Sequence, residues 1–228
     1  MTTTVSHVAS IAEAVRTLSR EHGLDQTLTR IAQVAGRSVP GFEHVGISIV
    51  TRSDEIETRA ATDPLVGQFD DLQYELGEGP CVSAMREQPV VTVPFARHDQ
   101  RWPAYMPRAV ALGLRSQLAV RLFLDDSGTL GALNFYSLSR DTVHVEAEPL
   151  ADLFAAHAAS ALERTREVSE LNAALESRKI IGQAIGIVME RYGLHEDRAF
   201  AFLVRASSHG NVKIRDLALR LVSEHNAR

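Results

Sequence analysis

Cys81 is the single cysteine of this 228-residue chain. It closes the run Leu76-Gly77-Glu78-Gly79-Pro80-Cys81, where proline at a first helical position predicts a helix start. A helix dipole lowers the pKa of a thiol at its N-terminus. One reading of Cys81 is therefore a redox or covalent sensor. The chain has no second cysteine to resolve a sulfenic acid, so a disulfide cycle would need a partner chain. The plainer reading is a small buried side chain.

The other reactive residue types do not assemble into a centre. Asp125-Asp126 form a pair of carboxylates, but they precede Ser127-Gly128, a composition that predicts a hairpin turn. The glycines at 77 and 79 predict a turn before a helix. No lysine follows them to meet a phosphate. The nine histidines show no ligand spacing, and no metal site is expected. Nucleotide-binding, zinc-protease and hydrolase motifs are absent. No catalytic residue and no cofactor is predicted.

Basic residues have a clearer distribution. Residues 176–228 carry nine Lys/Arg against six Asp/Glu, a balance of +3. The other 175 residues carry 15 against 23, a balance of −8. A mildly basic end on an acidic body fits a nucleic-acid partner for that end.

Several elements must position these groups. Val8, Ile11, Ala12, Val15 and Leu18 predict a helix near 5–20, and Asp25 predicts the cap of a second. Residues 44–52 alternate as a strand with Val45, Ile47 and Ile49 on one face. Together with 55–62 they predict a hairpin. A helix from Pro80, a short strand at 90–93, and a short helix ended by Gly113 follow. A second hairpin pairs 115–124 with 129–137. Hairpins with helices beside them predict an α+β fold with an antiparallel sheet.

No proline or glycine interrupts the chain between Pro149 and Gly182, so one long helix is predicted. Val168, Leu171, Leu175, Ile185 and Met189 fall on a seam along it, as in a coiled coil. The expected partner is the same helix in a second copy. Ala199, Phe202, Leu203 and Ala206 predict one further helix. Ile214, Leu217, Ala218, Leu221 and Val222 predict another, with Asn211 as its cap. The result is a three-helix unit. No apolar run reaches the ~18–20 residues of a membrane span, and no secretory signal is visible. The cytoplasm is expected.

Two stretches resemble known families. Residues ~176–228 resemble an ANTAR domain, through Arg178, Ile181, Ala184, Gly186, Met189-Glu190-Arg191, Ala199-Phe200, Leu203 and Ala218. Two positions depart from the pattern: Ile185, where a lysine is frequent, and Ser207, where an alanine is common. Residues ~20–165 resemble a GAF domain, through 76–81, Arg101-Trp102-Pro103, Gly113-Leu114-Arg115-Ser116 and the run 130–137.

The resemblance implies three stretches: an N-terminal helix (1–19), a GAF-like sensor (20–165), and a coiled-coil helix with an ANTAR domain (166–228). It implies an RNA-binding regulator of transcription antitermination. Such a protein dimerises through the long helix and holds tandem RNA hairpins. The residues expected on RNA are Arg178, Lys179, Gln183, Arg191, Arg198, Phe200, Arg205 and Lys213. A GAF pocket for an unknown small molecule is expected near Tyr74, Cys81, Trp102, Asn134, Phe135 and Tyr136. The rivals are a GAF-type enzyme acting on oxidised methionine, and a dimerising sensor that signals through a protein or DNA partner.

Overall fold

The structure is a computed structural model and describes residues 23–51, 53–124 and 128–227. The helix predicted over 5–20 and the Asp125-Asp126-Ser127 turn lie outside the described residues. The chain forms two compact units that divide between Thr165 and Arg166.

The first unit is built on five antiparallel strands in the order β2-β1-β5-β4-β3. They are β1 (His44–Val50), β2 (Ile56–Ala61), β3 (Val90–Val93), β4 (Ser116–Leu124) and β5 (Gly128–Ser137). Alternation along the strands sends Val45, Ile47, Leu118, Val120, Leu122, Leu133 and Phe135 to one face. There they meet α1 (Leu24–Ser38) and the start of α5 (Ala147–Tyr192). Each such large apolar side chain contributes roughly 1.5–3 kcal/mol by leaving water. Gly131 of β5 sits so close to β1 that an added Cβ would lie 2.0 Å from the Ser48 carbonyl oxygen.

The opposite face is covered by α2 (Pro64–Leu76), α3 (Pro80–Arg86) and α4 (Tyr105–Ala111). Helix α2 begins where the Asp63 carboxylate accepts the Leu65 N–H at 2.8 Å, with Pro64 next. It ends at Gly77, whose φ of 63° is left-handed, a conformation glycine adopts without a Cβ penalty. The buried stripe of α2 is Val66, Phe69, Asp70 and Gln73. Two of these four inward residues are polar, and they start the site described below.

The second unit combines the end of α5 with α6 (Glu196–Gly210) and α7 (Ile214–Asn226). Ala184, Val188, Ala199, Leu203 and Ala218 form its core. Asn211 has a role different from the expected one. It terminates α6 at φ 48°, and Lys213 precedes α7. Asparagine tolerates the left-handed conformation better than most residues. Likewise Gly23, not Asp25, precedes α1, and Asp25 lies in its first turn.

Candidate functional site

A buried polar cluster lies between the sheet and α2–α3. Asp70 is wholly buried, and its carboxylate accepts from Thr58 at 2.7 Å and from the Tyr136 hydroxyl. The Tyr74 hydroxyl donates to Ser48 Oγ at 2.6 Å. The Asn134 amide nitrogen lies 2.9 Å from Ser48 Oγ and 3.1 Å from Cys81 Sγ. Gln73 bridges two elements: its amide donates to Tyr136 at 3.2 Å, and its Oε1 accepts the Cys81 N–H at 2.8 Å.

Close approach makes this possible. Gly79 has φ 124°, and an added Cβ would fall 2.5 Å from the Gln73 side chain. Gly46 lies under α2, where a Cβ would meet Val66 at 2.5 Å. A side chain at either glycine would press on the residues that form the cluster.

Burial governs its electrostatics. Loss of water pushes the Asp70 carboxyl up to about 7, against the lowering hydrogen bonds from Tyr136 and Thr58. Burial, then the neighbouring Asp70, pushes the Cys81 thiol up to about 12. The Tyr74 and Tyr136 phenols are also raised, chiefly by burial. The sensor reading of Cys81, with its lowered thiol pKa, is thus reversed, and the plainer reading of a small buried side chain holds. Helix α3 spans seven residues, and the Cys81 N–H already serves Gln73. Desolvation outweighs the small dipole that remains.

Four of the six residues expected around a pocket come together, but as a packed, hydrogen-bonded layer: Tyr74, Cys81, Asn134 and Tyr136. Phe135 does not join them. Strand alternation sends it to the other face, 5.6 Å from the Phe42 ring. Trp102 lies in the helical layer, donates to Ser83 Oγ at 3.0 Å, and carries the Arg101 guanidinium 4.4 Å from its ring centre. It borders an open depression of about 400 Å³ with Glu78, Arg86 and Arg101.

Ser48, Thr58, Asp70 and Gln73 were not anticipated from the sequence. The Asp63-Pro64 start signal could have revealed α2. Its 3-4 spacing would then have placed Asp70 and Gln73 inward.

In the second unit all eight residues expected on RNA are exposed. Helix geometry, 3.6 residues per turn, sets their directions. Arg198 and Arg205 share one flank of α6, and Phe200, 45% exposed, stands on the other flank with Val204. Lys179 and Gln183 share a side of α5, whereas Arg178 and Arg191 project elsewhere. The cationic surface is therefore several patches, not one stripe.

The two departures from the family pattern have structural explanations. Ile185 packs against the core of its own unit. Ser207 Oγ donates to the Val212 carbonyl at 2.6 Å, tying the end of α6 to the following turn.

A family model described as an ANTAR domain matches residues 169–222. A second, described as a GAF domain, matches residues 21–163. The chain is a GAF–ANTAR protein. It combines a sensor domain with an RNA-binding domain of antitermination regulators.

No curated protein matches it. Among solved structures, its GAF domain is similar to that of a phosphoenolpyruvate-protein phosphotransferase from Coxiella burnetii. That match has a TM-score of 0.60 and 15% identity, covering 74% of this chain and 99% of that one. The GAF domain of an Acinetobacter phosphoenolpyruvate-protein phosphotransferase gives 0.56 and 14%, covering 71% and 95%. A free methionine-R-sulfoxide reductase from Neisseria meningitidis, solved with its substrate, gives 0.54 and 20%, covering 69% and 88%. At such identities the likeness shows the fold alone.

Among the described residues, no helix is long and apolar enough to cross a membrane. No group of histidine, cysteine and carboxylate residues there is arranged to hold a metal.

Proposed function

We propose that this GAF–ANTAR protein is a non-catalytic, cytoplasmic antitermination regulator. It dimerises along α5, holds two RNA hairpins with its two ANTAR domains, and is controlled by its GAF domain. The observation that carries this reading is the ANTAR match on a three-helix unit whose described basic residues stand outside the core. Unpaired hairpin loops offer bases that side chains can read, while Arg and Lys follow phosphates. Holding the hairpins prevents a competing terminator from forming.

Dimerisation is supported by Val168, Leu171 and Leu175, which are 52, 65 and 61% exposed on consecutive turns of α5. Two linked domains engage two hairpins with a raised effective concentration. Control by the GAF domain is supported by α5 itself. Ala151, Phe154 and Ala158 of this helix pack in the GAF core, and Ala184 and Val188 pack in the ANTAR core. An unidentified small molecule at the GAF domain would act by favouring one of two arrangements of that helix.

A non-catalytic role is supported at Cys81. The chain's one cysteine is wholly buried, and its thiol pKa is raised, which opposes formation of the nucleophilic thiolate.

The test is RNA affinity of the full chain compared with residues 150–228, with Arg191→Ala, Lys213→Ala and Phe200→Ala variants beside the parent. The proposal expects weaker binding by folded variants. Equal binding by all of them at several salt concentrations would refute this assignment of the surface.

A further inference from the structure

A groove of about 340 Å³ runs between α5 and α7 of the ANTAR unit. We infer that it receives one unpaired RNA base bearing an exocyclic amino group. This rests on the RNA-binding reading above and adds to it a base-reading subsite that includes Glu190 and Asn226.

Ile187 and Val222 supply apolar walls, and Gly186 leaves bare helix backbone between them. A Cβ added to Gly186 would meet no atom within 4 Å. Nothing inside the protein therefore requires glycine there, although glycine weakens a helix interior relative to alanine. The absent side chain keeps the groove open for a flat ring. Its volume is at the small end of ligand pockets.

Gln183, Glu190, His225 and Asn226 border the groove, all four exposed. None of their side chains has a hydrogen bond or ion pair to another described residue. The two amides both donate and accept, and the His225 ring offers two further nitrogen atoms. The Glu190 carboxylate only accepts, which suits an amino group and repels a phosphate. Phosphates have partners outside the groove: Lys179 lies one turn before Gln183 on α5, and Arg215 lies two turns before Val222 on α7. Both cations are exposed. The arrangement separates base from backbone, as recognition of a splayed-out nucleotide requires.

The experiment uses the full chain and a library of tandem RNA hairpins with randomised loops. The parent should enrich loops that avoid uracil at one position. Gly186→Ala should melt at the same temperature as the parent or higher, yet bind the enriched pool about tenfold more weakly. Glu190→Gln should bind with the uracil discrimination lost, because its amide can donate to a uracil carbonyl. If the parent enriches loops and Gly186→Ala binds them equally well, the groove is not the subsite, and the RNA reading stands without it. Uniform weakening of every RNA, with unchanged base preference, also overturns base reading in the groove. If the parent enriches no loop at all, the RNA reading itself fails, and the groove assignment fails with it.

Discussion

The Asn134 amide reaches the Cys81 sulfur at 3.1 Å, joining the central strand β5 to the start of α3 beneath the sheet. The thiol is thereby enclosed in a hydrogen-bonded layer. The folded protein should resist iodoacetamide at pH 8, and unfolding in guanidinium should release one reactive thiol. Mass spectrometry of the alkylated protein checks this. Rapid labelling of the native chain would contradict the burial of Cys81.

Asp70 gives a pH dependence of known sign. Its folded pKa is raised from 3.8 to about 7. Between these values the folded state binds the proton that the unfolded state has lost. The contribution of Asp70 to stability is therefore fully present below about 3.8 and is lost as pH rises through about 7. Asp70→Asn removes this titration. Thermal melts of parent and variant from pH 4 to 8 should show a gap that shifts in favour of the variant as pH rises. A gap independent of pH would mean that Asp70 is not raised.

These two side chains also show why the cluster was only half legible in the sequence. The hairpins, the long helix and the ANTAR stripes repeat with periods of 2 or about 3.6, and such periods survive inspection of a single chain. Asn134 and Tyr136 could be placed because they belong to a legible strand. Asp70 and Gln73 interrupt the apolar face of α2, so the period that would have disclosed the helix is broken by the residues that matter. Phe135 went to the wrong side for a simpler reason: adjacent strand residues point to opposite faces. The reversal at Cys81 depends on burial by distant elements, which local sequence does not report.

Two glycines should respond oppositely to alanine. At Gly131 the new Cβ would press on the β1 backbone at 2.0 Å, so Gly131→Ala should cost about 2–4 kcal/mol or prevent folding. At Gly186 there is open space, and the variant should gain up to ~1 kcal/mol from helix propensity. Urea unfolding of each variant gives the answer. Similar effects at both sites would mean that the backbone contact at Gly131 is not as close as described.

The exposed seam of α5 predicts the state of assembly. Light scattering should give the parent twice the mass of one chain. Leu171→Asp with Leu175→Asp should give the single-chain mass with the helical signal largely retained. A dimer unaffected by both changes would place the interface elsewhere.

Cationic contacts predict a salt dependence. Loss of a phosphate contact at Arg198 or Arg205 should weaken binding to all RNAs alike. It should also reduce the slope of log affinity against log salt by about 0.7–0.9 per contact. Phe200→Ala should instead lose about 1–3 kcal/mol if the ring stacks on a loop base, with the slope unchanged. Variants with the parental slope and affinity would remove α6 from the interface.

Direct competition tests the central claim best. The full chain is titrated with tandem-hairpin RNA selected on the parent protein, in the presence of duplex DNA of the same sequence and at fixed salt. The account predicts that the RNA displaces the DNA and that the DNA does not displace the RNA. Tighter binding to the duplex, or no saturable RNA binding by the folded dimer, would contradict it.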